Sequence, residues 1–304
     1  MKEDPNVPGS IETNSISEHD KLKSVGPPAR RTSIIRPPAL LAANLPQDLA
    51  KLVQYRDLLY TLSIHRIRVR YKQSVLGIFW AILQPLSMML IFTFIFSYIA
   101  RIKSEGAPYA IFAYTALLPW NYFSSAVSNA TNSLVSHSQF VTKVYFPREI
   151  LPLTYVVAAL FDFLVASTLL AGLMIYYHVR PTVNALYAIP IILILTCFAL
   201  AMSFLFSATQ VRIRDIGVAV PLLLQLWMFA TPVIYPLSSV PQQLQPYYVL
   251  NPMVGVIENF RQVILRGGPP EFHSLITAAV ISILLLVVSY LYFKRVEATM
   301  ADII

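Results

Sequence analysis

Six long apolar runs dominate this sequence: Val75 to Ala100, Tyr109 to Ser133, Ile150 to Tyr177, Val183 to Ser207, Gly217 to Tyr235 and Ser274 to Phe293. About 20 helical residues cross the roughly 30 Å of hydrocarbon in a bilayer. A backbone in lipid must satisfy its own hydrogen bonds, so runs of this length predict transmembrane helices. Of 304 residues, 56% are hydrophobic and 12% are charged, about half the usual charged share of roughly 25%. The expected fold is an all-α integral membrane protein with six transmembrane helices.

The basic residues orient those spans. A net charge of +8 would suggest nucleic acid in a soluble chain; here it reports topology, and no nucleic-acid partner is expected. With the N-terminus inside, eighteen of the 23 Lys and Arg fall on the cytoplasmic side, which predicts both termini in the cytoplasm. Residues 1–45 are proline-rich and lack apolar periodicity, so Met1 to Ala43 is expected to be a disordered cytoplasmic tail. No apolar core of a signal peptide precedes the first long run. Within 46–74, Leu49, Leu52, Tyr55, Leu59 and Leu62 recur at three- and four-residue steps. That spacing predicts an amphipathic helix along the cytoplasmic membrane surface. Its continuation from Arg66 to Lys72 alternates basic and apolar residues but runs into a span without a breaker, and is read as helix. The six-span domain is assigned to 75–304, with a cytoplasmic loop at 134–149.

Residues 236–268 do not read as an ordinary loop. Asn251 and Pro252 suit an N-cap and first helical position, and Gly267 and Gly268 a stop. Met253, Val256, Ile257, Phe260, Val263 and Ile264 form one apolar face, with Glu258 and Arg261 off it. Two readings stand: short re-entrant helices before the last span, packed on protein, or an amphipathic helix on the outer surface.

Several polar side chains lie within spans. Ser125, Asn129, Asn132, Ser133 and Ser136 share one stripe of the second span, suited either to close helix packing or to lining a conduction path. Asp162, in the third, costs on the order of 3 kcal/mol unless it finds a partner, a proton or a wet cavity. No basic residue lies in the core of any span, so a charged partner is expected at a helix end. Pro85 beside Gln84, and Pro221 and Pro232 flanking Gln225, mark expected kinks. Tyr98, Trp120 and Tyr122 fit an interfacial aromatic belt, or rings on which sugars stack. The single Cys197 is expected to be a core residue, and no metal site is expected. There is no Gly-Lys dipeptide, hence no Walker A loop, and no HExxH or GxSxG motif. Any ATP-driven work must come from another subunit.

Five stretches carry a resemblance: RYKQSVLGIFWAILQPL, LLPWNYFSS, VTKVYFPREILPL, RIRDIGVAVPLLLQLWMFATPVIYP and LNPMVGVIENFRQVIL. Together they resemble the membrane subunits of bacterial polysaccharide-export ABC transporters, the type-2 exporter permeases that move O-antigen, capsule or teichoic acid chains. The resemblance covers Asp48 to the C-terminus. It implies two copies of this permease with two copies of a separate ABC ATPase holding ATP and Mg²⁺, in the bacterial inner membrane. The substrate it implies is an undecaprenyl-linked polysaccharide; export of a small lipid or drug, or a passive channel or scaffold, are the alternatives. It makes 134–149 a coupling loop, with Phe140, Val144, Tyr145 and Phe146 packing on the ATPase and Lys143, Arg148 and Glu149 making polar contacts. It makes the helices of 236–268 outer gate helices. Arg66, Arg68, Arg70 and Lys72 are placed to attract the pyrophosphate headgroup, or to act as positive-inside anchors. Tyr98, Trp120, Tyr122, Ser125, Asn129, Asn132, Asp162, Gln225, Glu258 and Arg261 become channel or gate candidates.

Overall fold

The computed structural model describes residue 50 and residues 52–72, 74–101 and 106–303, side chains to Met300. The expected tail, Met1 to Ala43, lies outside them. The described residues contain helices and no strand. In chain order the helices are α1 (Arg56–Lys72), α2 (Trp80–Phe92), α3 (Tyr109–Thr131), α4 (Ser133–Ser136), α5 (Ser138–Lys143), α6 (Ile150–Tyr176), α7 (Ala188–Arg212), α8 (Ile216–Ala230), α9 (Gln245–Val249), α10 (Pro252–Ile264) and α11 (Phe272–Ile303). Four segments are long and apolar enough to cross a membrane: Gly77–Ile99, Ile150–Tyr176, Val183–Arg212 and Phe272–Met300. Of the other two expected spans, α3 has 23 residues and α8 only 15.

α3 is the axis of the fold. Nearly every side chain from Tyr109 to Phe123 is buried, because α3 packs against α2, α6, α7, α8 and α10 at once. Its apolar first half therefore meets protein on all sides. Trp120, Phe123, Phe198 and Trp227 pack as one cluster, with Phe123 and Phe198 stacked at 5.0 Å and 6°. α7 and α11 pair along their lengths. A second core, around Leu134, Val141, Leu151, Phe204, Phe293 and Met300, lies at the end that carries the 134–149 loop.

Proline and glycine punctuate these elements. Pro85 stands inside α2, where its missing N–H and its ring perturb the ladder. α2 then continues as a wide π-type turn from Thr93 to Ile99. After α8 the chain breaks at Thr231 and runs through Pro232 and Pro236. α10 starts as expected, with the Asn251 side chain accepting from the Met253 N–H at 3.1 Å and Pro252 at the first turn. Its burial departs from a surface helix, since Asn259 and Arg261 are as enclosed as Met253 and Val256. α10 packs on α3, α7 and α11, so Asn259 and Arg261 meet protein where a surface helix would leave them in solvent.

α1 packs along α6. Its contacts climb α6: Leu62 and Arg66 share a groove with Leu151, Arg66 stacks on Tyr155, and Arg70 reaches Asp162. The helix runs beside α6, where its basic end supplies what a carboxylate in an apolar helix lacks.

Candidate functional site

The 134–149 loop is built from two short helices, α4 and α5, and an extended exit at Val144. Val141 is buried in the second core, so α5 is anchored along one side. Phe140, Lys143 and Val144 are exposed, and Tyr145 is 95% exposed. Phe146 turns inward against the second core. The loop thus presents an apolar ridge of Phe140, Val144 and Tyr145 beside one lysine.

Arg148 and Glu149, expected to make polar contacts outside the chain, are instead engaged within it. Glu149 is 1% exposed, and its Oε1 lies 2.5 Å from the Lys294 ammonium of α11. The Tyr290 hydroxyl donates to the same oxygen at 3.3 Å, and Oε2 has no hydrogen-bond partner. Lys294 also pairs with Glu297 at 2.9 Å. The Arg148 N–H donates to the Glu297 carboxylate at 3.3 Å, and its guanidinium to the Glu297 carbonyl at 2.5 Å. Burial, and then the neighbouring Glu297 charge, push the Glu149 carboxyl above its ordinary range. The exit of the loop is tied to the end of α11 by a cluster whose members are some 145 residues apart in sequence, which no local pattern signals.

The second constellation surrounds Asp162. Arg70 pairs with one carboxylate oxygen and the Tyr71 hydroxyl donates to the other. Sequence reasoning placed the missing partner at a helix end, and it is there. One turn earlier the Arg66 guanidinium lies 3.3 Å from the centre of the Tyr155 ring. His137 Nδ1–H donates to the Ser133 carbonyl at 2.9 Å, which leaves Nε2 to accept from Arg66 at 3.4 Å. Burial lowers the Arg66 pKa. Two adjoining cavities, of about 220 and 230 Å³, share Arg70, Ala159 and Asp162. Trp80, Asn121, Tyr122 and Ser125 face the first, and Arg66, Asn129 and Tyr155 the second. Arg68 and Lys72 are exposed and outside both linings.

The polar stripe of α3 divides along its length. Ser125 and Asn129 face the cavities, with Asn129 donating to the Ser125 carbonyl at 2.7 Å. Asn132 instead accepts from Gln210 of α7 at 2.8 Å, and Ser133 is fully buried. The stripe thus borders cavities at Ser125 and Asn129 and packs between helices at Asn132 and Ser133. Gln210 was missed by sequence reasoning, its only signal being an amide near the end of an apolar run.

The third constellation is sealed. Arg261 is 1% exposed. Its guanidinium donates to the carbonyls of Pro232 at 2.8 Å and Val233 at 2.5 Å, and pairs with Glu258 at 2.9 Å. It also lies 3.8 Å from the centre of the Phe112 ring. Proline and the break after α8 free backbone carbonyls, and this guanidinium satisfies two of them. Among the remaining candidates, Trp120 is 2% exposed and held in the aromatic cluster, away from any open surface. Tyr122 is buried with its hydroxyl donating to Thr196, and it lines part of the first cavity. Tyr98 and Gln225 are exposed, and the structure does not bring them to either cavity. Among the described residues, no group of three or more His, Cys, Asp or Glu could hold a metal ion.

Comparison with known proteins draws these regions together. Residues 57–265, from the first turn of α1 to just past α10, match the family described as ABC-2 type transporter. A Myxococcus xanthus protein named O-antigen export system permease protein RfbA is 33% identical over 238 residues, which span 78% of this chain and 91% of that protein. A Klebsiella pneumoniae protein of the same name is 28% identical over 249 residues, 82% of this chain and 95% of its own. Polysialic acid transport protein KpsM of Escherichia coli is 26% identical over 250 residues, 79% and 94% of the two chains.

Proposed function

The chain belongs to the ABC-2 type transporter family, and from that premise we propose that it is the membrane permease of an ATP-driven exporter of a lipid-linked polysaccharide. The observation that carries this reading is the collinear match to relatives named for O-antigen and polysialic acid export, each covered over nine-tenths of its length. In this reading the chain crosses the bacterial inner membrane six times. α3 and α8 join the four long apolar segments, α3 enclosed by its neighbours and α8 completed by the turn at Thr231. Both termini are cytoplasmic, two copies face each other, and α9 and α10 form an outer gate. The undecaprenyl pyrophosphate headgroup is attracted by the basic face of α1, at Arg66, Arg68, Arg70 and Lys72.

Hydrolysis is the work of two ABC ATPase subunits, which hold ATP and Mg²⁺. The exposed ridge of Phe140, Val144 and Tyr145 is the surface that seats in the ATPase. Apolar side chains at a cytoplasmic loop gain by being covered. The cluster of Arg148, Glu149, Lys294 and Glu297 then carries the motion of that loop to α11.

Two measurements test the reading. Gentle solubilisation of native membranes should recover an ABC ATPase with this chain; repeated absence would leave a passive channel or scaffold. Deleting the gene should leave lipid-linked glycan on the cytoplasmic leaflet, scored by protection of the glycan from external glycosidase. Unchanged glycan at the surface, with loss of efflux of a small apolar compound, would replace this substrate with a lipid or drug.

A further inference from the structure

The α1–α6 contact holds more positive charge than it neutralises. Arg66 and Arg70 lie one turn apart and line the cavity of about 230 Å³ together with Asn129, Tyr155 and Asp162. The charged groups facing this space are two guanidinium groups from α1 and one carboxylate from α6, while α3 contributes a neutral amide. Asp162 is used by Arg70 and Tyr71. Arg66 has a ring and an imidazole but no carboxylate as partners, and its Nε is buried with no hydrogen-bond partner. A desolvated cation without a counter-charge is unfavourable, and an anion entering the cavity would relieve it. The planar fork of arginine accepts carboxylate and phosphate oxygens in the same geometry. Asp162 therefore occupies on Arg70 a position that a phosphate can take.

We propose that this cavity is a phosphate subsite and that the Arg70–Asp162 pair is a latch that phosphate opens. The incoming oxyanion binds Arg66 and takes Arg70 over from Asp162, which retains the Tyr71 hydroxyl. α1 then loses its ion pair with α6 and stays joined to it on that side by the Tyr71 hydroxyl and by Arg66 over the Tyr155 ring. The identity of the phosphate rests on the export reading: a prenyl-linked pyrophosphate from the bilayer is the source to which it commits, and inorganic pyrophosphate shares the chemistry.

The latch makes a prediction that a plain structural clasp does not. If Asp162 competes with the ligand, removing its charge must strengthen binding. The full chain in lipid nanodiscs, with its ATPase where one co-purifies, is titrated with inorganic pyrophosphate and with a C55 prenyl pyrophosphate, following ³¹P signals and Trp80, which faces the adjoining cavity. Asp162→Asn should bind about tenfold more tightly than the parent, and Arg66→Gln or Arg70→Gln about tenfold more weakly. Asp162→Glu, which keeps the charge, should stay near the parent and controls for folding. Tighter binding of the prenyl form identifies a lipid source, and equal affinity a free anion; both support the subsite. An unchanged or weaker Asp162→Asn, or no pyrophosphate binding to the parent, overturns the proposal. Either negative result alongside normal glycan export would leave the export reading standing.

Discussion

Two arginine–carboxylate pairs sit in the apolar body of this protein, and they are built on opposite plans. Arg261 is enclosed, with Glu258, two backbone carbonyls and the Phe112 ring as partners. The Arg70 side chain is 43% exposed and that of Asp162 20%, with only side chains between them and two cavities beside them. Backbone carbonyls cannot swing away, so the first pair holds the break after α8 against α10. Side chains can exchange partners, so the second can be an equilibrium. A buried charge in a membrane protein is thus either a rivet or a switch, and the nature of its partners distinguishes them.

The contrast can be broken most severely at the sealed site. Arg261→Met leaves two carbonyls and Glu258 without a donor, and should destabilise the protein by about 3–5 kcal/mol. Thermal unfolding in detergent reads this as little folded protein; a parent-like midpoint would abolish the distinction. Asp162→Asn should cost about 1 kcal/mol or less in the same assay, since an accessible pair is screened. Glu149 supplies a third, intermediate case. Its folded pKa lies above the ordinary 4.5, so the folded state holds the proton longer than the unfolded state does. The stability it contributes is full below that ordinary value and is lost as pH rises through the folded pKa. The unfolding midpoint of the parent should fall across that window relative to Glu149→Gln, and parallel profiles would show that the carboxyl does not titrate there. Tyr145→Ala should have the smallest effect on stability, within about 0.5 kcal/mol, because the ring touches nothing that folding needs. In the assembled complex the same change should lower export about tenfold while ATP hydrolysis continues, measured as glycan translocated per ATP.

Periodicity and composition made the helical membrane class, the helix through Lys72 and the Asn251–Pro252 helix start legible. They also led to a charged partner for Asp162 at a helix end, because an intramembrane carboxylate has few other options. What escaped was enclosure. The polar face of α10 reads as solvent-facing by pattern, yet Arg261 is buried because the carbonyls it satisfies belong to a proline-broken segment some 28 residues earlier. Trp120 reads as interfacial, but that expectation assumes lipid or water beside it, and α7 and α8 supply Phe198 and Trp227 instead. Arg148 and Glu149 read as a charged loop exit; their partners lie on the last helix, beyond the reach of any local signal. Sequence pattern reports which face of a helix is apolar, and tertiary packing decides how many faces are covered.

The end of α10 has a kinematic consequence. Gly267, in the left-handed region at φ +64°, brings its carbonyl where Thr182 donates at 3.0 Å and Asn184 at 2.8 Å. Both lone pairs of that oxygen are taken, and a Cβ at Gly267 would come within 2.7 Å of the Thr182 methyl. The far end of the segment, from Pro241 to Leu244, is exposed. With α10 fixed at Gly267 and, through Arg261, at Pro232 and Val233, the slack of the 236–268 segment is confined to the uncovered turn from Pro241 to Leu244.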